Sequence, residues 1–248
     1  LGVSIESVRS ALFSAFALAQ GLSVGQLIVV LAIMNAIVAA YIYVQVPEFL
    51  LRFLAWLLVH TMYRLRVRDI ERVPEEGAAL LICNHVSFVD AIVISAACRR
   101  PVRFIMDSGI FRIPLLRTVF RGMKAVPIAS RSEDPALYER AFATVAEELA
   151  AGHLVCIFPE GRLTRDGTIG EFRPGLLRIL QRSPVPVVPM ALSNLWPSMF
   201  SRREPRLWKR WPRRALAQVT LAVGEPMAAS EVTLEAARDR VVALRERP

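Results

Sequence analysis

The sequence has little that could build a disulfide framework, a metal centre or a nucleotide site. Its 248 residues include only 3 cysteines. Cys83, Cys98 and Cys156 lie far apart and form no Cys-x-x-Cys pattern, so they are typical of small apolar core residues in a reducing compartment. They support neither a disulfide framework nor a zinc site. A Walker spacing and a Gly-x-Gly-x-x-Gly are both missing, so nothing supports nucleotide hydrolysis or dinucleotide binding.

Lysine is also scarce. Lys124 and Lys209 are the only lysines, yet the net charge is +9 because arginine supplies the remaining positive charge. A basic surface suits anionic lipid headgroups, phosphorylated substrates and nucleic acid alike. The chain is 54% hydrophobic with a mean hydropathy of +0.41, which is high for a soluble enzyme and indicates membrane contact. Its length suffices for one or two domains with a full core.

A long apolar stretch opens the chain. Residues 1–20 show helical spacing of apolar side chains, and residues 22–46 provide the roughly 20 apolar residues that a transmembrane helix needs. Residues 49–63 are shorter and carry an arginine and a histidine, which predicts a helix that is interfacial or half-inserted. By the positive-inside bias, the arginines that follow predict that the rest of the chain lies on the cytoplasmic face of the inner or cytoplasmic membrane: Arg64, Arg66, Arg68 and Arg72. The alternative is a helical hairpin buried in a soluble domain.

Short apolar runs alternate with helical patterns after Val73. Alternation of this kind predicts an α/β fold with a mixed, partly parallel sheet flanked by helices, preceded by an N-terminal membrane-embedded helical segment. The corresponding domains are residues 1–63 and residues 64–248. The predicted strands are Ala78–Cys83, Val102–Met106, Ala125–Ile128, His153–Phe158, Val185–Leu192 and Leu216–Val223. The predicted helices are Val89–Cys98, Ile113–Arg121, Pro135–Ala151, Gly175–Gln181 and Ser230–Arg247.

The heptapeptide Asn84–Asp90 follows the first predicted strand directly. Ligands gather at the carboxyl ends of strands in such sheets, so its position is that of a site. His85 could act as a general base, with Asp90 holding its other ring nitrogen as a donor. Five residues on one helix would separate the two side chains, so His85 should precede the helix that carries Asp90. The alternative is a polar turn in which Asn84 or Ser87 caps a helix.

Serine chemistry has less support in this heptapeptide. Ser87 is not part of a Gly-x-Ser-x-Gly elbow, so we interpret it as a cap or a supporting donor rather than a nucleophile. Asn84 is interpreted in the same supporting way.

A second polar cluster follows the strand His153–Phe158. The loop 159–167 contains Gly161, Arg162 and Thr164, and such residues beyond a strand end can cradle an anion. Arginine matches phosphate oxygens, and glycine lets backbone N–H groups approach. Taken alone, these residues are better explained as an exposed, charged loop.

The two clusters together resemble the PlsC-type glycerolipid acyltransferase superfamily over roughly residues 68–223. His85 and Asp90 match its His-x4-Asp motif, Phe158–Arg162 matches its Phe-Pro-Glu-Gly block, and Val185–Pro189 matches its Val-Pro-x-x-Pro block. Many members read Glu-Gly-Thr-Arg-Ser where this chain has Glu-Gly-Arg-Leu-Thr. That variant is similar to the acyltransferase domain of 2-acylglycerophosphoethanolamine acyltransferases. Such domains also follow transporter-like membrane segments in fusions, and a start without methionine fits the C-terminal part of such a fusion.

The resemblance implies residue roles and substrates. His85 and Asp90 would be catalytic, and Glu160, Gly161 and Arg162 would hold the glycerol phosphate acceptor, supported by Asn84, Ser87 and Thr164. A further family block is only approximate around residues 122–131, and its arginine is carried to Arg131. The implied reaction moves a fatty acyl group from acyl-CoA or acyl-carrier protein to a lysophospholipid, by default 1-acylglycerol-3-phosphate. No metal or other cofactor is expected.

Three alternatives stay open. One is 2-acylglycerophosphoethanolamine acyltransferase activity, the second is a lipid esterase, and the third is a membrane lipid-binding domain without turnover. The segment 201–214 is rich in arginine and contains two tryptophans, Trp208 and Trp211. Such a composition suits the anionic membrane interface or single-stranded nucleic acid. The apolar N-terminal stretch favours the membrane, so we expect membrane lipids and no nucleic acid as partners.

Overall fold

The structure is a computed structural model that describes residues 21, 23–45, 47–164, 166–195 and 217–246. Contacts divide the chain into two compact units between Pro47 and Glu48. The described part of the first unit is helix α1, Val24–Gln45. Its window Val24–Tyr41 is long and apolar enough to cross a membrane, and none of it is buried. The predicted helix over residues 1–20 lies outside the described residues.

The described residues of the second unit form seven strands. They are β1 Tyr63–Arg68, β2 Ala79–Cys83, β3 Val102–Asp107, β4 Val126–Ile128, β5 Leu154–Ile157, β6 Val187–Ser193 and β7 Ala217–Val223. They make one sheet in the order β1-β7-β6-β2-β5-β3-β4. All neighbours are parallel except β6 and β7, which are antiparallel. The predicted mixed, partly parallel sheet is therefore confirmed.

Helices flank this sheet close to where the periodicity predicts them. They are α2 Pro47–Met62, α3 Asp90–Ala97, α4 Pro114–Gly122, α5 Pro135–Ala150, α6 Gly175–Arg182 and α7 Leu234–Glu246. Helix α5 begins where Asp134 accepts a hydrogen bond of 2.8 Å from the backbone N–H of Leu137. The helix ends just before Gly152, whose φ of 81° is a left-handed backbone conformation that glycine adopts without steric strain. These local signals fixed both ends of α5.

The core consists of one apolar layer on each face of the sheet. Leu81 and Cys83 of β2 point into the layer shared with α2 and α3. Leu80 and Ile82 point into the other layer, which is shared with α5, α6 and α7. Because β2 is central and covered on both faces, its five residues are all buried. The uninterrupted apolar run Ala-Leu-Leu-Ile-Cys is the pattern expected of such a strand.

Strand β1 is absent from the sequence prediction. Its segment Tyr-Arg-Leu-Arg-Val-Arg was interpreted as a charge run after a helix. In the structure it is an edge strand that pairs in parallel with β7, from Tyr63 beside Ala217 to Arg68 beside Ala222. Arginine at alternate positions of an edge strand can keep its charge in water. The alternation of arginine with apolar residues therefore indicates a strand.

Helix α2 belongs to the same compact unit as the sheet. The division into domains at residue 63 stays a prediction. Ala55 and Val59 are buried against the core, and Leu51 and Met62 pack beside it. Positions spaced by three and four residues form one stripe of a helix, and only this stripe is covered.

Candidate active site

The site forms at the edge of the sheet where β2, β5 and β6 end. Strand β2 lies between β5 and β6 and is parallel to both. Ile82 of β2 stands beside Ile157 of β5. The segments that follow these two strands therefore leave the sheet side by side, although His85 and Glu160 are far apart in sequence.

His85 and Asp90 form a hydrogen-bonded pair. The His85 Nδ1 and Asp90 Oδ2 atoms are 2.8 Å apart. His85 lies in the segment before α3, and Asp90 is the first residue of α3. Because His85 precedes the helix, its imidazole can reach Asp90 at the helix start, although the two residues are five positions apart in the sequence. With Nδ1 donating to the carboxylate, Nε2 keeps its lone pair and can accept a proton.

The His85 ring is held in place and partly open to solvent. It stacks on Phe158 with ring centroids 4.1 Å apart and an interplanar angle of 16°. Its side chain is 24% exposed, whereas that of Asp90 is 0% exposed. The base, His85, is therefore accessible from the surface, whereas the Asp90 carboxylate that orients it is buried.

Asp90 gathers its donors on one oxygen. Besides the imidazole, Asp90 Oδ2 accepts the backbone N–H groups of Val86 at 2.7 Å and Ser87 at 2.9 Å. Among the described residues, no donor reaches Asp90 Oδ1, which is buried. Burial raises the pKa of Asp90 above its ordinary value, and the hydrogen bonds from His85 and the two backbone groups oppose that rise. The negative charge of this poorly solvated carboxylate would stabilise an imidazolium formed at His85.

Glu160 connects the loop that follows β2 with the loop that follows β5. Its Oε1 accepts the backbone N–H of His85 at 2.8 Å, and its Oε2 accepts that of Gly170 at 2.9 Å. Glu160 is only 4% exposed. Burial raises its pKa, while the hydrogen bonds from Gly170 and His85 lower it. The sequence predicts that Glu160 binds substrate, but here each carboxylate oxygen is engaged with the backbone that carries the site.

The other residues of the predicted anion cradle surround this junction. Gly161 has a φ of 64° and is exposed, as is Arg162. The backbone N–H of Thr164 donates to the His85 carbonyl at 2.9 Å. The Thr164 hydroxyl donates to Asp166 at 3.0 Å. Thr164 therefore supports the loop, while Arg162 presents a charge to solvent.

Asn84 and Ser87 are buried and support the backbone. The side chain of Asn84 donates to the Leu192 carbonyl at 3.0 Å and accepts the Leu192 N–H at 2.8 Å, which ties the end of β2 to β6. The Ser87 hydroxyl accepts the N–H of Val89 at 3.4 Å. Both residues are 0% exposed.

Arg131 is not brought into this network. It is exposed in a turn after β4, the edge strand three places from β2. Three strand spacings amount to about 14 Å. In the part of the chain that the structure describes, no hydrogen bond or ion pair is made by Arg131. Its predicted role stays a prediction, and the basic segment 201–214 lies outside the described residues.

The sequence does not predict the contacts of two residues near the site. Phe158 ends a predicted strand and begins the Phe-Pro-Glu-Gly block, but its stacking on His85 is seen only in the structure. Arg238 of α7 donates to the carbonyls of Gly170 at 3.1 Å and Ile169 at 3.2 Å. It thus holds the loop whose N–H binds Glu160. Arg238 follows in a separate helix, and no spacing rule in the sequence connects it to this loop.

A mostly parallel sheet with a His–Asp pair at its central strand end defines an α/β protein equipped for proton transfer at a surface. The chain belongs to the Acyltransferase family, whose model matches residues 64–193, more than half of the sequence. The matched region begins in β1 and ends in β6, so it contains the His85–Asp90 pair and Glu160, whereas Arg238 lies beyond it.

Curated relatives are similar over the same region. A chloroplastic 1-acyl-sn-glycerol-3-phosphate acyltransferase, LPAT1 of Arabidopsis thaliana, is 28% identical over 146 residues, which are 58% of this chain and 40% of the relative. The 1-acyl-sn-glycerol-3-phosphate acyltransferase of Pseudomonas aeruginosa strain PAO1 is 29% identical over 150 residues, 59% of this chain and 57% of the relative. The match thus spans less than two thirds of either relative.

A solved structure has the same fold. The crystal structure of PlsC, the 1-acyl-sn-glycerophosphate acyltransferase of Thermotoga maritima, superposes with a TM-score of 0.60 at 22% identity. The superposition covers 75% of this chain and 71% of that one. At this identity the likeness concerns the fold.

Proposed function

We propose that this protein transfers a fatty acyl group from a thioester donor, acyl-CoA or acyl-carrier protein, to the free hydroxyl of a lysophospholipid. The observation that carries the proposal is the 2.8 Å bond between His85 Nδ1 and Asp90 Oδ2, which leaves Nε2 as a proton acceptor on a partly exposed ring. The names of the relatives make 1-acylglycerol-3-phosphate the first acceptor to test and phosphatidic acid the expected product.

The proposed step is direct. His85 Nε2 takes the proton of the acceptor hydroxyl as its oxygen attacks the thioester carbonyl carbon. The tetrahedral intermediate collapses, the C–S bond breaks, and the thiolate takes the proton from the imidazolium. Asp90 stabilises that imidazolium, as the aspartate of a catalytic triad does. The step uses no metal and no acyl-enzyme.

A buried Ser87 argues against the esterase alternative. A nucleophilic hydroxyl must reach the substrate carbonyl. Ser87 is 0% exposed, in the same segment before α3 that carries His85. An acceptor hydroxyl that comes from outside fits this arrangement better.

Membrane attachment is part of the proposal. Helix α1 has the length and composition to cross a bilayer. Helix α2 exposes five large apolar side chains, Phe53, Leu54, Trp56, Leu57 and Leu58. Exposed apolar area of this kind is typical of a membrane or partner surface. We place the second unit on the cytoplasmic face, because arginines follow α2 directly.

The test is acyl transfer by His85→Ala and Asp90→Asn with labelled acyl-CoA and a panel of lysophospholipids in vesicles. We expect His85→Ala to lower kcat by about 10²–10⁴-fold. Asp90→Asn should cost up to about 10⁴-fold, because the wrong tautomer faces the substrate. Transfer that survives His85→Ala at near full rate would refute the mechanism.

His153→Ala is the matched control. His153 Nδ1 also lies 2.7 Å from a carboxylate oxygen, that of Glu148, but it precedes β5 at the opposite edge of the sheet. Its loss should leave transfer unchanged. In the same panel, a preference for lysophosphatidylethanolamine would identify the 2-acylglycerophosphoethanolamine alternative. Release of free fatty acid without an acceptor would identify an esterase, and binding without any product would identify a lipid-binding domain.

A further inference from the structure

Arg52 interrupts the apolar side of helix α2 and bonds to a different element of the fold. Its Nη2 donates to the backbone carbonyls of Cys98 and Arg99, each at 2.7 Å. Arg52 Nε is buried and finds no hydrogen-bond partner among the described residues. A buried donor without a partner opposes folding, so stability alone does not explain an arginine here.

The two carbonyls lie directly after α3, which ends at Ala97. Cys98 caps the carboxyl end of this helix with an extended backbone, and Arg99 follows it. The carboxyl end of a helix carries partial negative charge, so a guanidinium next to it is favourable. Arg52 therefore holds the carboxyl end of α3.

The opposite end of α3 is the active site. The helix has 8 residues and begins at Asp90. At 1.5 Å per residue it is about 12 Å long, so its two ends lie close together. Val93 and Ile94 are buried along it. A displacement at Cys98 would thus be transmitted to Asp90 and to the imidazole that Asp90 orients.

Helix α2 packs on the fold through one stripe of its surface. Among the α2 residues whose burial the structure describes, Ala55 and Val59 are buried. The exposed fractions of Phe53, Trp56 and Leu57 are 47%, 45% and 43%. Lipid that covers this apolar face would settle α2 in one orientation, whereas water leaves the face unsupported.

We propose that Arg52 is a positioning residue that couples attachment of α2 to lipid with the geometry of the His85–Asp90 pair. This inference rests on the proposed transfer reaction and on lipid as the partner of α2. On lipid, α2 would hold α3 through Arg52, and α3 would hold Asp90 against His85. Without lipid, the pair would be less firmly aligned.

The test compares Arg52→Met, which keeps the bulk of the side chain and removes its donors, with Arg99→Met at the same corner of the fold. The side chain of Arg99 is 70% exposed and pairs with Glu75 at the surface, so Arg99 is the matched control. With vesicles of anionic phospholipid present, we expect Arg52→Met to lower kcat about tenfold or more, since small misplacements at a reacting centre have effects of this size. KM for the lysolipid should change little, and Arg99→Met should behave as wild type.

A second readout does not depend on turnover. The sequence contains 3 histidines, so proton NMR of histidine-labelled protein can follow the Nδ1–H of His85 with His153 as an internal reference. Adding vesicles should shift the His85 resonance in the wild type and in Arg99→Met, but not in Arg52→Met. Arg52→Lys keeps a charged donor, so vesicles should shift its His85 resonance, but by less than in the wild type. If Arg52→Met does not fold, Arg52→Lys tests the coupling in its place.

Two results would overturn the coupling. One is an Arg52→Met protein that melts earlier but keeps its kcat. The other is a His85 resonance that responds to vesicles without Arg52, because Arg52 would then be a structural cap alone. If the wild type transfers no acyl group to any lysolipid, the proposed function fails, while the resonance measurement still tests the coupling.

Discussion

Glu160→Gln is the substitution that best separates the structural role of this carboxylate from the acceptor-binding role that the sequence suggests. Glu160 accepts one backbone N–H on each oxygen, from His85 at 2.8 Å and from Gly170 at 2.9 Å. Glutamine has one acceptor oxygen and one NH2 group. One of the two backbone donors would therefore face another donor inside the protein.

The magnitude follows from these bonds. A hydrogen bond to a charged group contributes about 1.5–3 kcal/mol, and a buried donor left without a partner costs about 1–3 kcal/mol. Glutamine retains one neutral bond, and relief from burying a charge offsets a further part, since burial raises the pKa of Glu160. A net destabilisation of the site of about 2–4 kcal/mol results. Only the part felt in the transition state lowers the rate, so kcat should fall about 10–100-fold.

The assay is steady-state acyl transfer in vesicles with the acceptor concentration varied. Because the carboxylate braces the backbone of His85, kcat should fall while KM for the lysophospholipid changes by less than about threefold. Glu171→Gln is the control, since Glu171 is exposed in the same loop. A large rise in KM with an unchanged kcat would refute the bracing role and show that Glu160 binds the acceptor.

Two further predictions concern the loop around Glu160. Gly161→Ala should lower the free energy of unfolding by about 1–2 kcal/mol, because φ is positive there. The added Cβ would also lie 2.8 Å from Arg173 Cδ. Gly152→Ala has a similar φ and open space around its Cβ, so urea denaturation should show a smaller loss for it. An equal loss would mean that Arg173 moves aside freely. The pKa of Asp166 is lowered from 3.8 to about 2, chiefly by hydrogen bonds from Thr168 and Thr164. Its stabilising effect is therefore complete above about pH 4 and is lost as the pH falls toward 2. Asp166→Asn should be less stable than wild type at pH 6, with the difference vanishing near pH 2, and a difference that does not depend on pH would contradict this.

Local sequence determined most of the secondary structure and the composition of the site. The run Ala78–Cys83 predicts a buried strand, Asp134-Pro135 and Gly152 predict the ends of a helix, and the heptapeptide Asn84–Asp90 predicts a paired histidine and aspartate. Each of these depends on contacts within a few residues, namely caps, turn conformations and hydrophobic period. The residues that make such contacts are neighbours in the sequence, so the local sequence predicts them. Strand β1 escaped prediction because its period of two coincided with a charge run.

Only the tertiary structure decided what the polar residues touch. The family resemblance implies that Glu160 holds the acceptor, and that role stays a prediction. The structure adds that its two oxygens accept backbone N–H groups from two loops, at His85 and Gly170. Arg131 follows β4 at the same edge of the sheet and remains outside the network. Arg52 reaches α3, 46 residues along the chain, because α2 packs beside it. Long-range contacts depend on the order of strands and the faces of helices, and these are set by how the whole chain buries its apolar surface.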